Sequence, residues 1–327
     1  NKMIWVLFDQ PKKEKGKSFV GENLGEPATD LYSPKEGNKL FSWTKSACKS
    51  IRLSKKNDII ICWFDFQGVL CWWFCKLLLR KRKIVCVNIM LKDKATFKNY
   101  IAALLYKPVL KSKYVRASVT SKEYGKHISR RLELNRNFAI VHDVFHESYR
   151  YKNRVEVKKN SVFCGGRNGR DWLFIIEVAR RLPDVNFTFI MPKDKFNAFN
   201  LTLPSNVTAK TNVTIDVFIK KMCECELVAL PLNTEAPAGL IVMFQAAANI
   251  KYILTTDTMT TREYLSDGRG CLLPNDTDKW VNAINEHLKS SSSNKVSSIR
   301  LLNFLRDNCS EDNFLKGIKR MCLDFDN

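Results

Sequence analysis

Residues 162–171 read Val162-Phe163-Cys164-Gly165-Gly166-Arg167-Asn168-Gly169-Arg170-Asp171. An apolar, strand-forming run ends in a glycine-rich turn, and Asp171 opens a helix predicted over Asp171–Leu182. Glycines let backbone amides approach an anion closely, while the helix start adds free N–H groups and the positive end of a dipole. Arg167 and Arg170 supply fixed charge and forked donors that match phosphate oxygens. A plain strand–turn–helix with surface arginines would read the same way. The stretch is neither the six-residue dinucleotide fingerprint nor a phosphate loop ending in Lys-Ser/Thr.

Outward from this turn the same alternation repeats. Strands are predicted at Ser161–Cys164, Asn186–Met191, Glu226–Leu232, Lys251–Thr255 and Gly270–Leu273, with helices at Thr214–Cys223, Leu240–Ala248, Thr260–Leu265 and Asp278–Lys289. Upstream lies a second series. Its strands are Met3–Phe8, Asp58–Phe64, Lys83–Ile89, Tyr114–Thr120 and Phe138–His142, and its helices are Gln67–Arg80, Thr96–Leu110 and Ser121–Leu134. Strands alternating with helices mean parallel sheets with crossover connections, hence an α/β chain of two Rossmann-like domains. The polar stretch Ser148–Asn160 reads as a linker, giving domains over residues 1–150 and 160–290. The run Ser290–Ser293 reads as a flexible break, and residues 294–327 as C-terminal helices (Val296–Leu305, Asn313–Cys322) that return to something already folded. The first domain has a lesser set of polar candidates at strand ends: Asp65, Gln67, Asn88 and the glycine-bearing loop Gly16–Gly25. Asp65 would equally serve to cap the next helix. His142 and His146 sit where the chain leaves this domain, a poor place for a general base.

Two further stretches of the second domain carry chemistry. Leu230-Pro231-Leu232-Asn233-Thr234-Glu235-Ala236-Pro237-Ala238-Gly239-Leu240-Ile241 is a strand end, a small-residue loop and the start of an apolar helix. Ligands of open α/β sheets sit outside the carboxyl ends of strands, so Glu235 is placed to accept hydroxyl hydrogen bonds, and the amides after Gly239 to face a phosphate. Glu235 would also suit a helix N-terminus without any ligand. Thr255 to Gly268 gathers hydroxyls at another strand end, where they either bind a polar ligand or cap a helix through Thr260 with Glu263 three residues on.

The ordered set of Gly-Gly-Arg, a strand ending in Pro231, Glu235, Phe244-Gln245-Ala246-Ala247-Ala248, Thr256-Asp257, Arg262-Glu263, Asp267-Gly268 and Gly270-Cys271-Leu272-Leu273-Pro274 resembles the C-terminal half of the retaining family-four glycosyltransferases of bacterial polysaccharide synthesis. The likeness covers residues 160–290. It implies the GT-B fold, with two Rossmann-like domains facing each other across a cleft and the C-terminal helices packing back. It implies a nucleoside-diphosphate sugar whose diphosphate is held by Gly166, Arg167 and Arg170, with Glu235 on the transferred sugar; Gly165, Asn168, Ala238, Gly239, Leu240, Ile241 and Thr260, which share the same turns and helix starts, complete the donor-binding candidates. The family's second Glu, on the ribose, corresponds by its Ala-rich context to Gln245, although strict spacing would select Met243. The catalytic set so implied is Glu235, Arg167 and Arg170; Asp65, read from its strand-end position alone, is a weaker catalytic candidate, and no metal or cofactor is expected. The function implied is sugar transfer with retention to a glycan or lipid-linked glycan acceptor bound by the first domain, in capsule, exopolysaccharide or lipopolysaccharide synthesis.

The composition bounds these readings. At 327 residues and 37.8 kDa, 45% hydrophobic, the chain has material for two packed cores. No apolar run spans a bilayer, and the opening Met3–Phe8 reads as a strand rather than a secretory leader, so a cytoplasmic protein is expected. Eleven cysteines lie mostly inside apolar runs and read as buried thiols, and Cys223-Glu224-Cys225 lacks partners at metal spacing. Residues 1–160 hold 34 Lys+Arg against 14 Asp+Glu, most of the net charge of +21. Such an excess suits a phosphate-bearing acceptor or peripheral contact with an anionic membrane, on the inner face of the plasma membrane. The segment Gln67–Lys83, apolar and ending in four basic residues, reads either as a buried crossover helix or as an interfacial anchor. A basic nucleic-acid-binding protein is the rival from another class, yet no helix-turn-helix, zinc or aromatic RNA-binding pattern is present. A sugar-nucleotide epimerase is the rival enzyme.

Overall fold

The computed structural model describes residues 2–12, 18–34 and 37–325. Gly16 of the glycine-bearing loop lies outside the described residues. The chain divides into two units, 1–143 with 311–327, and 144–310. The first contains β1 (Ile4–Phe8), α1 (Phe19–Asn23), β2 (Ala28–Tyr32), α2 (Lys39–Leu53), β3 (Ile59–Cys62), α3 (Asp65–Leu77), β4 (Lys83–Cys86), α4 (Phe97–Lys111), β5 (Val115–Val119), α5 (Lys122–Arg131) and β6 (Ala139–Ile140). Its six strands are ordered β2-β1-β3-β4-β5-β6, and every pairing is parallel.

The second unit contains β7 (Ser161–Gly165), α6 (Trp172–Arg180), β8 (Asn186–Ile190), α7 (Lys193–Phe199), β9 (Val207–Lys210), α8 (Ile215–Cys223), β10 (Leu227–Leu230), α9 (Leu240–Ala248), β11 (Tyr252–Thr256), α10 (Met259–Leu265), β12 (Cys271–Leu273), α11 (Thr277–His287) and α12 (Ser291–Asn308). Its sheet runs β12-β11-β10-β7-β8-β9, again all parallel. Parallel strands bury both faces, so alternate residues of one strand enter different layers. Val162 and Cys164 pack with Trp172, Ile175 and Trp280, whereas Phe163 packs with α9 and Leu301 of α12. The last helix, α13 (Glu311–Leu323), belongs to the first unit, where Gly317 lies against Val141 and Phe314 against Trp63.

Several expectations are corrected here. The serines at 290–293 are no break: Ser291 starts α12, and the buried Asn294 secures that start by bonding the carbonyl oxygen and Nδ1 of His287. The chain leaves the first unit at Asp143, ahead of the polar stretch. That stretch is tied into the second unit, with Tyr151 N–H donating to Asn249, Lys158 N–H to the Glu224 carbonyl and Asn160 N–H to Glu226. Outside the predicted elements the structure adds two helices, α2 and α7, and two edge strands, β2 and β9, together with the short α1. The buried face of α2 is Ser42, Ser46, Ala47, Ser50 and Ile51, and its serine hydroxyls bond to nearby carbonyls. Hydropathy periodicity cannot register a helix face built from serine. Edge strands β2 and β9 are only half buried and lack the apolar run that marks central strands.

Candidate functional site

The carboxyl ends of the adjacent strands β7 and β10 bring the first two predicted stretches together. The turn after β7 is stitched to the loop after β10: Arg170 bridges Leu232, Asp171 N–H donates to the Pro231 carbonyl and Asn233 N–H to the Gly169 carbonyl. A side chain at Gly169 would meet Thr234 and Ala238 at 2.9 Å, so the two loops lie in van der Waals contact.

Arg170 is the centre of this edge. Its guanidinium is buried, donating from Nε to the Gly165 carbonyl and from Nη1 to the Asn168 carbonyl, both at 2.9 Å. No carboxylate among the described residues pairs with it. Desolvation pulls its pKa down to about 10, so it remains a cation at neutral pH. Gly166 has φ +124°, and a Cβ there would overlap the guanidinium. On the other side Nη1 lies 3.4 Å from where a Cβ of Gly239 would stand. Gly239 itself, at φ +79°, begins α9 without any side-chain cap. A buried cation therefore adjoins the open, electropositive end of a helix. Arg167 is exposed on the same turn, beside the exposed Asn168, and makes no ion pair among the described residues.

Glu235 is half buried in the loop after β10, and its Oε2 accepts the Met259 N–H at 2.9 Å. That bond holds one carboxylate oxygen at the start of α10 and leaves the other without a protein partner among the described residues. The helix cap expected at Thr260 is formed instead by Thr258, in a reciprocal box with Thr261. Thr260 is buried two residues on and its hydroxyl approaches the Glu235 carbonyl at 3.5 Å. The reason is one of register: the chain leaves β11 at Thr256, so the extended cap residue comes two positions earlier than the hydroxyl pattern suggests.

Gln245 is buried in the second turn of α9, and its Oε1 has no hydrogen-bond partner among the described residues. Met243, the position strict spacing would choose, is sealed in the apolar core. Ala238, Leu240 and Ile241 line the same helix start, Leu240 buried and Ile241 exposed.

Sequence reasoning missed a second layer of polar contacts. Thr256 Oγ1 accepts the Leu232 N–H and donates to Asn275 Oδ1, while Asn275 Nδ2 donates to the Leu232 carbonyl. Asn275 directly follows the Gly270–Pro274 motif, which was the available signal.

The remaining candidates lie in the first unit. Asp65 is buried, and its Oδ2 accepts both the Met90 N–H at 3.0 Å and the Tyr106 hydroxyl at 2.9 Å. Burial raises its pKa to about 6. It ties the loop after β4 and the helix α4 to the start of α3, so its carboxylate is withdrawn from solvent. Gln67 is likewise buried, bonded to Ser33, and Asn88 bonds Ser118 and Asp143. Of the glycine-bearing loop, Ser18 caps α1 and bonds Asp30. His146 precedes a single 3-10 turn and packs on Tyr149.

No protein-family profile matches this sequence, and no curated protein matches it. Solved structures do. Anabaena HepE in complex with UDP is 12% identical, with a TM-score of 0.71 over 99% of this chain and 100% of that one. Sucrose-phosphate synthase from Thermosynechococcus elongatus is 11% identical, with a TM-score of 0.74 over 98% of each chain. A glycosyltransferase from Rickettsia africae is 12% identical, with a TM-score of 0.65 over 99% of each. These are GT-B glycosyltransferases, and the two tandem parallel sheets of this chain have the GT-B fold.

Proposed function

We propose that this chain is a glycosyltransferase that takes a sugar from a nucleoside-diphosphate donor held by the second unit and passes it, with retention, to a glycan or lipid-linked glycan acceptor in surface-polysaccharide synthesis. The observation that carries the reading is Arg170: a buried guanidinium without a counter-ion among the described residues, set between Gly166 and the uncapped start of α9. An unpaired buried charge costs on the order of several kcal/mol. A diphosphate would supply the missing anion, and HepE, which shares the fold, holds UDP at 12% identity.

In this reading Arg170, Arg167 and the α9 amides stabilise the charge that grows on the departing diphosphate, the place filled elsewhere by a metal ion. Glu235, with Oε2 fixed by Met259, offers its other oxygen to the hydroxyls of the sugar. Gln245 offers its unpaired amide oxygen to the ribose. The first unit receives the acceptor. Retention and the pathway rest on the ordered motifs alone.

The test is direct. Thermal-shift screening of UDP-, GDP- and ADP-sugars is expected to find one that raises Tm, since a ligand at 100 times its Kd adds about 2.7 kcal/mol. With that donor, Glu235→Ala is expected to keep nucleotide binding and lose sugar transfer. Full transfer by Glu235→Ala, or no stabilisation by any nucleotide sugar, would reject the assignment. Activity unchanged by EDTA is expected if the cationic groups named here suffice.

A further inference from the structure

We infer that the outer face of α3 and α4 is a docking surface for an anionic lipid bilayer. Both helices bury one face in the first unit, through Val69, Cys71 and Cys75 of α3 and Tyr106, Val109 and Leu110 of α4. Each also presents a large apolar stripe outwards. On α4 it is Phe97 (80% exposed), Tyr100 (62%), Ile101 and Leu104 (51%), at helical spacing; on α3 it is Trp73 and Leu77 (75%). The two stripes adjoin, because the Trp73 indole N–H donates to the Leu105 carbonyl at 3.3 Å. A helix that exposes an apolar stripe opposite its buried face calls for a second low-dielectric surrounding besides its own core.

The charge around the stripes says which surrounding. Residues 66–113 contain eleven Lys/Arg and a single acid, Asp93, which is itself paired with Arg131. Lysines 76, 98, 107 and 111 rim the apolar face, with Glu133 of the next helix connection bonded to Lys107. Lysine is depleted in protein–protein contacts, whereas at a bilayer its stem lies along apolar surface and its ammonium reaches the headgroups. At the C-terminal end of α3 a cavity of about 230 Å³, walled by Trp72, Leu79 and Tyr114, is edged by Lys76, Arg80 and Lys81. That lining suits a headgroup phosphate above a hydrocarbon chain. This inference does not depend on the sugar-nucleotide reading.

The experiment is co-sedimentation of the whole chain with vesicles of phosphatidylcholine alone and of phosphatidylcholine mixed with phosphatidylglycerol. The protein is expected to pellet with the mixed vesicles. A basic protein could do so through charge alone, so the deciding variant leaves charge untouched: Phe97→Ser with Tyr100→Ser and Leu104→Ser is expected to bind at least about tenfold more weakly. Trp73→Ser with Leu77→Ser, on the other helix, is a second version of the same test. Leu173→Ser with Leu201→Ser, exposed apolar residues of the second unit, is expected to bind like the parent protein. All seven positions are exposed, and unchanged melting curves would verify folding. A parent protein that stays in the supernatant with mixed vesicles overturns the inference, as do serine variants that pellet like the parent. Self-association abolished by the triple substitution, with vesicle binding intact, would assign the face to a second copy instead.

Discussion

Replacing Arg170 with methionine separates a ligand-binding arginine from a structural one, because the two roles move stability and binding differently. The substitution keeps the apolar stem and removes the guanidinium. It deletes the charge-assisted bonds to Gly165 and Asn168, worth about 1.5–3 kcal/mol each. It also removes a buried cation that has no counter-ion among the described residues, and whose burial costs on the order of several kcal/mol. These contributions oppose each other, so the free protein is expected to change by no more than about 2 kcal/mol, or roughly 8 °C in Tm at about 2–4 °C per kcal/mol for a unit of this size. Binding has no such offset. Losing one partner of a shielded charge pair costs about 2–5 kcal/mol, at least about a thirtyfold rise in Kd for the nucleoside-diphosphate sugar. Melting curves with and without donor, alongside calorimetric titration, measure both quantities on the same samples. A folded variant that binds the donor as tightly as the parent protein would refute the reasoning, and strong destabilisation with unchanged affinity would make Arg170 a structural strut.

Gly166→Ala is expected to cost about 1–3 kcal/mol of stability from backbone conformation, and to abolish donor binding as well, because its Cβ displaces the Arg170 guanidinium; chemical denaturation and donor titration check the two parts. Gln245→Leu removes a buried, unpartnered amide oxygen, so the free protein is expected to gain up to about 1–3 kcal/mol while affinity for the donor falls; unchanged affinity would remove Gln245 from the ribose. Asp65→Asn is expected to leave sugar transfer intact. It also carries a pH signature: the folded pKa of about 6 lies above the ordinary 3.8, so the folded state binds more protons between those values. The contribution of Asp65 is thus fully present below pH 3.8 and lost as pH rises through 6. Relative to the parent, the Asn variant should gain stability over that window, by an amount on the order of 3 kcal/mol, as read from urea denaturation at stepped pH.

The sequence by itself determined the alternation of strands and helices, the two tandem α/β series and the glycine-rich turn after Cys164. These are local properties: strand runs, helical periodicity and the positive φ that glycine tolerates are all written within a few consecutive residues. It also put Glu235 and Arg170 at strand ends, which in a parallel sheet is enough to bring them to one edge. Only the tertiary structure decided which way those groups turn. Arg170 is folded under its own glycine turn because Gly165 and Asn168 present carbonyls there, and nothing in the word Gly-Gly-Arg-Asn-Gly-Arg distinguishes that from a side chain in solvent. Thr258, not Thr260, caps α10 because the end of β11 sets where the helix begins. Asp65, legible as a strand-end acid, was drawn inward by Met90 and Tyr106, partners 25 and 41 residues away. Burial and the choice of hydrogen-bond partner depend on residues distant in the chain, and so no reading confined to neighbouring positions could assign them.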